Sequence, residues 1–279
     1  MPTPPLGYEP SFLAAPAPVP LPRAVDPGRR ILNLPYTHFS VLLDPERRLA
    51  ALTAVNIDGR LLRDVPRGDD WHLDERVAPD EQAGPELYAR NDLDRGHLVR
   101  RRDPVWGTDA VAAAAEYDTF AYTNAAPQAA VFNQSKELWN GLEDHVLAYA
   151  VANELKLSVF TGAVFGEADR VYRGVRIPYR FVKVAAWFDA GRGRLAAAGF
   201  LLDQSAELNR IDLDESGAGE REGVSPLGGF RTFQVPIADI AHDTGLDLGP
   251  LTAADVYIAP LRDAGRRWVE LSRATQIRL

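Results

Sequence analysis

Hydrophobic positions along the chain follow two spacings, a dense β-prone one and a sparser one of three or four residues. The dense spacing fills Tyr36 to Leu43 and Arg48 to Ile57, and Asp44-Pro45-Glu46-Arg47 between them has proline placed for a turn, so the pair reads as a hairpin. Asn56-Ile57-Asp58-Gly59 closes its second strand with turn formers. Leu157 to Phe165, Ile177 to Phe188 and Leu195 to Leu202 read as further strands, with Gly191-Arg192-Gly193-Arg194 as the turn joining the last two. Together they predict a central antiparallel sheet. The sparser spacing is clearest from Asn133 to Glu154, where Leu138, Trp139, Leu142, Val146 and Tyr149 mark one face of a helix. Phe233 to Ile240 and Ala241 to Gly245 follow as strand and short helix with a glycine stop, and Val256 to Ala259 and Trp268 to Leu271 as closing strands.

The polar stretches set the organisation. Pro2 to Pro27 is rich in proline and alanine and reads as an extended arm, giving an arm over residues 1–27 and one elaborated domain over 28–279. Arg67 to Arg90 is acidic and broken by proline, a long loop of the kind that borders sites. Asp203 to Gly228 reads as an excursion carrying a short helix at Gln204 to Arg210.

A hydrophobic content of 46% is enough for a large core, and the strand and helix patterns together make the expected class α+β, with helices and long loops flanking the sheet. A net charge of -8 argues against coating nucleic acid by bulk electrostatics. It leaves room for a local basic groove: Arg95, Arg100, Arg101 and Arg102 occur in a run without carboxylates, while acids gather in Asp69 to Asp92 and Asp203 to Glu222. The chain has no cysteine, which removes disulfides and thiolate sites and leaves oxygen or nitrogen ligands, suited to a hard cation such as magnesium. Met1-Pro2-Thr3-Pro4-Pro5 lacks a basic region and apolar core of a secretory signal, and no apolar run is long enough to span a bilayer. The expectation is a soluble cytoplasmic protein with no membrane partner, signal-independent export remaining open.

The chemistry concentrates in Asp94-Arg95-Gly96-His97, the arginines after it, Asn124-Ala125-Ala126-Pro127-Gln128 and Asn133-Gln134. A neutral imidazole takes a proton from water near pH 7, and a guanidinium holds phosphate while staying charged. With Trp139 and Leu142-Glu143, these motifs resemble in order and spacing the DNA/RNA non-specific endonuclease family, from about Tyr36 to the final strands. The resemblance implies a ββα-metal nuclease fold, as in endonuclease G, and a magnesium-dependent endonuclease with manganese as substitute, cutting DNA and RNA to 5′-phosphate products.

What the resemblance implies is carried over residue by residue. His97 is the general base, and its unperturbed pKa of about 6.5 predicts activity falling below that pH. Arg95 stabilises charge on the phosphate, Gly96 lets the nucleic-acid backbone approach, and Asp94 fixes the local backbone or orients a neighbour. Asn133 is the metal ligand, and Asn124 positions the phosphate or the attacking water. Glu143 serves the metal through water, but it lies two residues farther from Asn133 than is usual in the family, which rotates it by about 200° on an ideal helix. Either the segment before Glu137 is irregular, or Glu137 supplies the carboxylate instead. Arg100, Arg101 and Arg102 grip the phosphate backbone or form a solvated turn. Trp106, Trp139 and Trp187 read as core, His38 as a strand residue, and His72, His145 and His242 as structural or surface residues.

Two other readings stay open. One is a nucleic-acid-binding protein of the same fold whose cutting is lost through the altered helix spacing. The other is a nuclease toxin or defence effector held by an inhibitor or immunity protein, with the acidic tracts covering the basic groove. A homodimer is a further expectation, since some relatives dimerise.

Overall fold

Most long strands of this chain are buried on both sides, so their apolar residues run consecutively instead of alternating. A computed structural model describes residues 6–129, 139–211, 231–258, 268–273 and 276–278. In chain order the strands are β1 (Arg23–Ala24), β2 (Leu32–Tyr36), β3 (Phe39–Asp44), β4 (Leu49–Asp58), β5 (Leu93–His97), β6 (Ala125–Ala129) and β7 (Lys156–Val164). They continue as β8 (Val171–Tyr172), β9 (Val175–Arg176), β10 (Arg180–Asp189), β11 (Arg194–Asp203), β12 (Arg231–Val235), β13 (Leu246–Asp247) and β14 (Val269–Leu271). Among the described residues one antiparallel sheet of eight strands dominates, in the order β14-β12-β11-β10-β7-β4-β3-β2. Helices pack outside it, giving the expected α+β class.

The β3–β4 hairpin turns around Asp44 to Arg47 as expected, with a register shift between Leu42 and Leu43. The β10–β11 pair joins through the glycine-containing turn. The strand β2 goes beyond the expectation: Pro35 interrupts its pattern, and the sheet edge is where a strand tolerates proline. His38 lies in the turn after β2 with a positive φ of 66°, not in a strand. Residues 256–258 likewise form no strand; there Asp255 makes an isolated parallel bridge to Ala197.

Side chains of alternate parity feed two cores. Leu157, Val159, Phe181 and Ala185 join the one beneath β6 and the helix Trp139–Ala152, whose Val146, Leu147 and Ala150 are buried in it. Phe160, Val164, Val182 and Val184 join the other, covered by the helix Ile237–Thr244 and by Tyr8, Leu13 and Val19 of the arm. The arm therefore wraps onto the sheet from Leu6 onward, bridging Leu6 to Thr37. The helix Ile237–Thr244 stops at Gly245, whose φ of 64° suits a residue without a Cβ. The helix Trp139–Ala152 ends two residues before the expected Glu154, and the start expected at Asn133 lies outside the described residues.

The polar stretch from Arg67 to Arg90 carries a 3-10 turn at Pro79–Glu81 and a short helix at Pro85–Tyr88. A buried network pins it to the sheet. Tyr36 donates to Asp74 Oδ2 at 2.5 Å, Asp74 pairs with Arg76 at 2.6 Å, and Gln82 Nε2 donates to the carbonyls of Asp74 and Val77.

Candidate active site

The two main sequence motifs meet as one ribbon. The strands β5 and β6 pair antiparallel, setting Asp94 opposite Gln128, Arg95 opposite Pro127, Gly96 opposite Ala126 and His97 opposite Ala125. A polar motif becomes strand here because a partner distant in sequence, Ala125–Ala129, completes its ladder. Gly96 makes room for a neighbour across the ribbon, since a Cβ there would lie 2.1 Å from Cδ of the buried Gln128 and force that side chain to shift. The expected clearance for nucleic acid is thus filled by a side chain of this chain. Gln204 ties the ribbon to the sheet: its Oε1 accepts from Ala129 N at 3.1 Å, and its Nε2 donates to the carbonyls of Pro127 and Pro178.

His97 ends β5 against an aromatic wall. Its ring centre lies 4.8 Å from that of Trp71 and 5.1 Å from that of Phe120, which meets it edge-on. The residue keeps some exposure, but Nε2 is enclosed and has no hydrogen-bond partner among the described residues. Burial first, then the charges of Arg67, Arg101 and Arg95, push the imidazole pKa down to about 3. Burial and these charges move the acid limit expected for the free protein below pH 6.5. The same guanidinium groups lower its basicity in the free chain, and a bound anion that offsets their charge raises it.

The other expected residues divide by what their side chains touch. Arg95 is half-buried with its guanidinium carbon 5.0 Å from the Trp71 ring centre, and Asp94 is half-buried on the same strand. Asn124 is fully buried; Oδ1 accepts from Val99 N, and Nδ2 donates to the carbonyls of Val99 and Thr119. With Leu98 N donating to the Asn124 carbonyl at 2.9 Å, Asn124 clamps the segment leaving His97. Arg101 donates to the Val65 carbonyl at 3.1 Å and pairs with Glu116 at 3.6 Å. Arg102 is exposed and Arg100 half-buried. Asn133 and Glu137 lie outside the described residues, and Glu143 falls on the helix Trp139–Ala152 at a position whose side chain is not described.

Among the described residues no group of three or more His, Asp or Glu side chains could hold a metal ion. Three acids of the first tract pair with arginines, Asp74 with Arg76, Glu86 with Arg48, and Glu81 with Arg30. Of the remaining aromatics, Trp187 is buried, Trp106 stacks on His38 at 3.4 Å, and His72 stacks on Tyr117. His242 is exposed on the last turn of its helix. The side chains of Trp139 and His145 are not described.

Sequence reasoning missed Trp71, Phe120, Arg67 and Gln204. Trp71 had a signal, a lone large aromatic beside Asp69 and Asp70 in a polar loop. Gln204 had none.

Residues 25–255 match the model of the DNA/RNA non-specific endonuclease family. An uncharacterized protein of Sinorhizobium fredii, y4fB, is 41% identical over 237 residues, which cover 81% of this chain and 35% of that protein. The chain thus spans about a third of that relative's length. Among solved structures, a chain in the crystal structure of the EndoG/EndoGI complex, described as revealing the mechanism of EndoG inhibition, superposes with a TM-score of 0.56 at 19% identity. The match covers 77% of this chain and 84% of that one, a likeness of fold.

Proposed function

The chain belongs to the DNA/RNA non-specific endonuclease family, and we propose that it is a divalent-metal-dependent endonuclease hydrolysing phosphodiester bonds within DNA and RNA. The observation that supports this reading is the placement of His97 and Arg95 two positions apart on β5, both beside the Trp71 ring, which sets an imidazole and a guanidinium on one face. His97 takes a proton from water, the oxygen attacks phosphorus, and the bond to the 3′ oxygen breaks to leave a 5′-phosphate. Arg95 offsets the charge that grows on the phosphate, and Arg100 and Arg102 bind the backbone on either side.

The resident cation in this reading is magnesium, with manganese as substitute. When bound it supplies Lewis-acid stabilisation of phosphate charge. Its ligand is Asn133, outside the described residues, with Glu143 or Glu137 as the accompanying carboxylate. A carboxamide and few other protein ligands suit magnesium, which keeps much of its water.

The test uses the purified full chain with plasmid DNA and RNA in magnesium. Both are degraded, and His97→Ala lowers turnover by about 10²–10⁴-fold while leaving binding intact. Unchanged turnover in that variant sinks the assignment. Calorimetry without magnesium or manganese binding favours the reading as a nucleic-acid-binding protein that has lost cutting.

The EndoG/EndoGI complex favours an inhibitor protein as a partner of this chain, as a toxin or defence effector would need. Co-expression with a genomic neighbour that abolishes cleavage supports that partner. No helix among the described residues is long and apolar enough to cross a membrane.

A further inference from the structure

Arg95 and His97 stand two positions apart on β5, so their side chains leave the same face of the strand. Both meet one indole. The His97 ring lies 4.8 Å from the Trp71 ring centre at an interplanar angle of 54°, and the Arg95 guanidinium carbon lies 5.0 Å from that centre. Backbone spacing fixes only where the two side chains start; a guanidinium on a long flexible stem and an imidazole free to turn need a third surface to fix where they end.

Trp71 is itself held from several directions. Its Nε1 donates to Asp69 Oδ1 at 3.1 Å, and its ring meets Phe120 edge-on at 5.3 Å and Tyr122 at 5.6 Å. The next residue, His72, donates its N–H to the Phe120 carbonyl and accepts from Tyr122 N. Upstream, Gly68 N donates to Glu116 Oε1 at 2.8 Å, and Arg101 takes the Val65 carbonyl while pairing with Glu116. The loop reaching Trp71 is therefore tied to the helix Asp109–Asp118 before it arrives at the site.

We propose that Trp71 is a positioning residue of this site, its indole fixing the separation and tilt of the His97 imidazole relative to the Arg95 guanidinium. The inference rests on the nuclease reading for its effect on turnover, but not for its geometry. The ring is ringed by Arg95, His97, Phe120 and Tyr122, which leaves it better placed to hold side chains than to stack on a nucleobase. Because the base and the phosphate-binding group must converge on one phosphorus, a displacement of about 1 Å lowers turnover by about 10²-fold. Glu116 then acts on the site through the loop that carries Trp71, and Arg101 does so in addition to its direct charge on His97.

The experiment compares wild type, Trp71→Phe and Trp71→Ala in the full chain. It reads kcat and KM on a labelled DNA oligonucleotide and the His97 imidazole resonance, assigned by its loss in His97→Gln. Trp71→Ala lowers kcat by about 10-fold to 100-fold with KM within about twofold, and weakens the cross-peak between the His97 and Phe120 rings, a distance that loss of the indole ring current does not itself change. Trp71→Phe recovers most of both, and melting curves confirm that each variant is folded. A wild-type kcat in Trp71→Ala overturns the inference, as does a loss carried by KM alone with the His97–Phe120 cross-peak unchanged, the mark of a stacking platform. Should the wild type cleave neither polymer, the nuclease reading fails by itself, and the His97–Phe120 cross-peak still decides: an unchanged cross-peak in Trp71→Ala overturns the positioning role.

Discussion

Asn124 engages both backbone groups of Val99: its Oδ1 accepts the Val99 N–H at 2.8 Å, and its Nδ2 donates to the Val99 carbonyl at 3.0 Å. A carboxamide here does the work of a neighbouring strand for a residue that has none, two positions beyond His97. Asn124→Ala leaves buried groups of Val99 and Thr119 unpaired, and lowers the unfolding free energy by about 2–4 kcal/mol. Asn124→Asp is at least as harmful at neutral pH, since it sets a carboxylate against two carbonyls. Urea denaturation measures both; a loss under about 0.5 kcal/mol in Asn124→Ala removes the clamp from the account.

The pH dependence follows from His97. Its pKa is pushed down to about 3 in the folded chain, against about 6.5 unfolded. The acid limb of kcat/KM, which reports the free enzyme, lies well below pH 6.5. A bound phosphate offsets the arginine charges, so the limb of kcat lies at higher pH. Stability carries the matching sign. Between those two pKa values the unfolded chain binds a proton that the folded chain refuses, so stability falls as pH drops through the window, by up to about 1.4 kcal/mol per pH unit. Urea melts at successive pH values show that slope reduced in His97→Gln; equal slopes in both proteins count against a suppressed imidazole.

The Gly96 contact predicts a rescue. Gly96→Ala drives a Cβ to 2.1 Å from Cδ of Gln128, and the crowding lowers stability by about 1–3 kcal/mol. Adding Gln128→Ala removes the obstacle, so the double variant is more stable than the sum of the single changes implies. Additive losses in a double-mutant cycle show that the glycine serves another purpose.

Arg101 and Arg102 separate although adjacent. Arg101 anchors Val65 and Glu116, so Arg101→Ala lowers the melting temperature. Arg102 is exposed, so Arg102→Ala leaves melting unchanged and reduces the slope of log affinity against log salt by about 0.9 for duplex DNA. Fluorescence anisotropy in a His97→Ala background reads the slope without cleavage, and an unchanged slope excludes a phosphate contact at Arg102.

Local chemistry made the long strands legible. Consecutive apolar residues in β4, β7, β10 and β11 announce strands wherever they lie, and Gly245 announces a helix stop. The residues His97, Arg95 and Asn124 were legible as a group through their motifs, and β5 with β6 brings them together. Their division of labour was not. Asn124 has the same side chain whether it faces a phosphate or three backbone groups, and only packing decides. The strand β5 was hidden because its residues are polar and its partner is distant in sequence, and Gln204 was hidden because a buried glutamine looks like any other.

The outer strand of a sheet is a template on which another chain can build. At β2, Pro35 offers no N–H, Arg76 takes the Pro35 carbonyl at 2.8 Å, and Gly7 of the arm donates to the Tyr36 carbonyl at 2.6 Å. The loop that leads to Trp71 and the arm that wraps the far core thus meet at the same place and close the last two residues of that edge. Growth of the sheet by strand addition is hindered at those two residues, so a strand added at this edge has only Leu32 to Leu34 left to pair with.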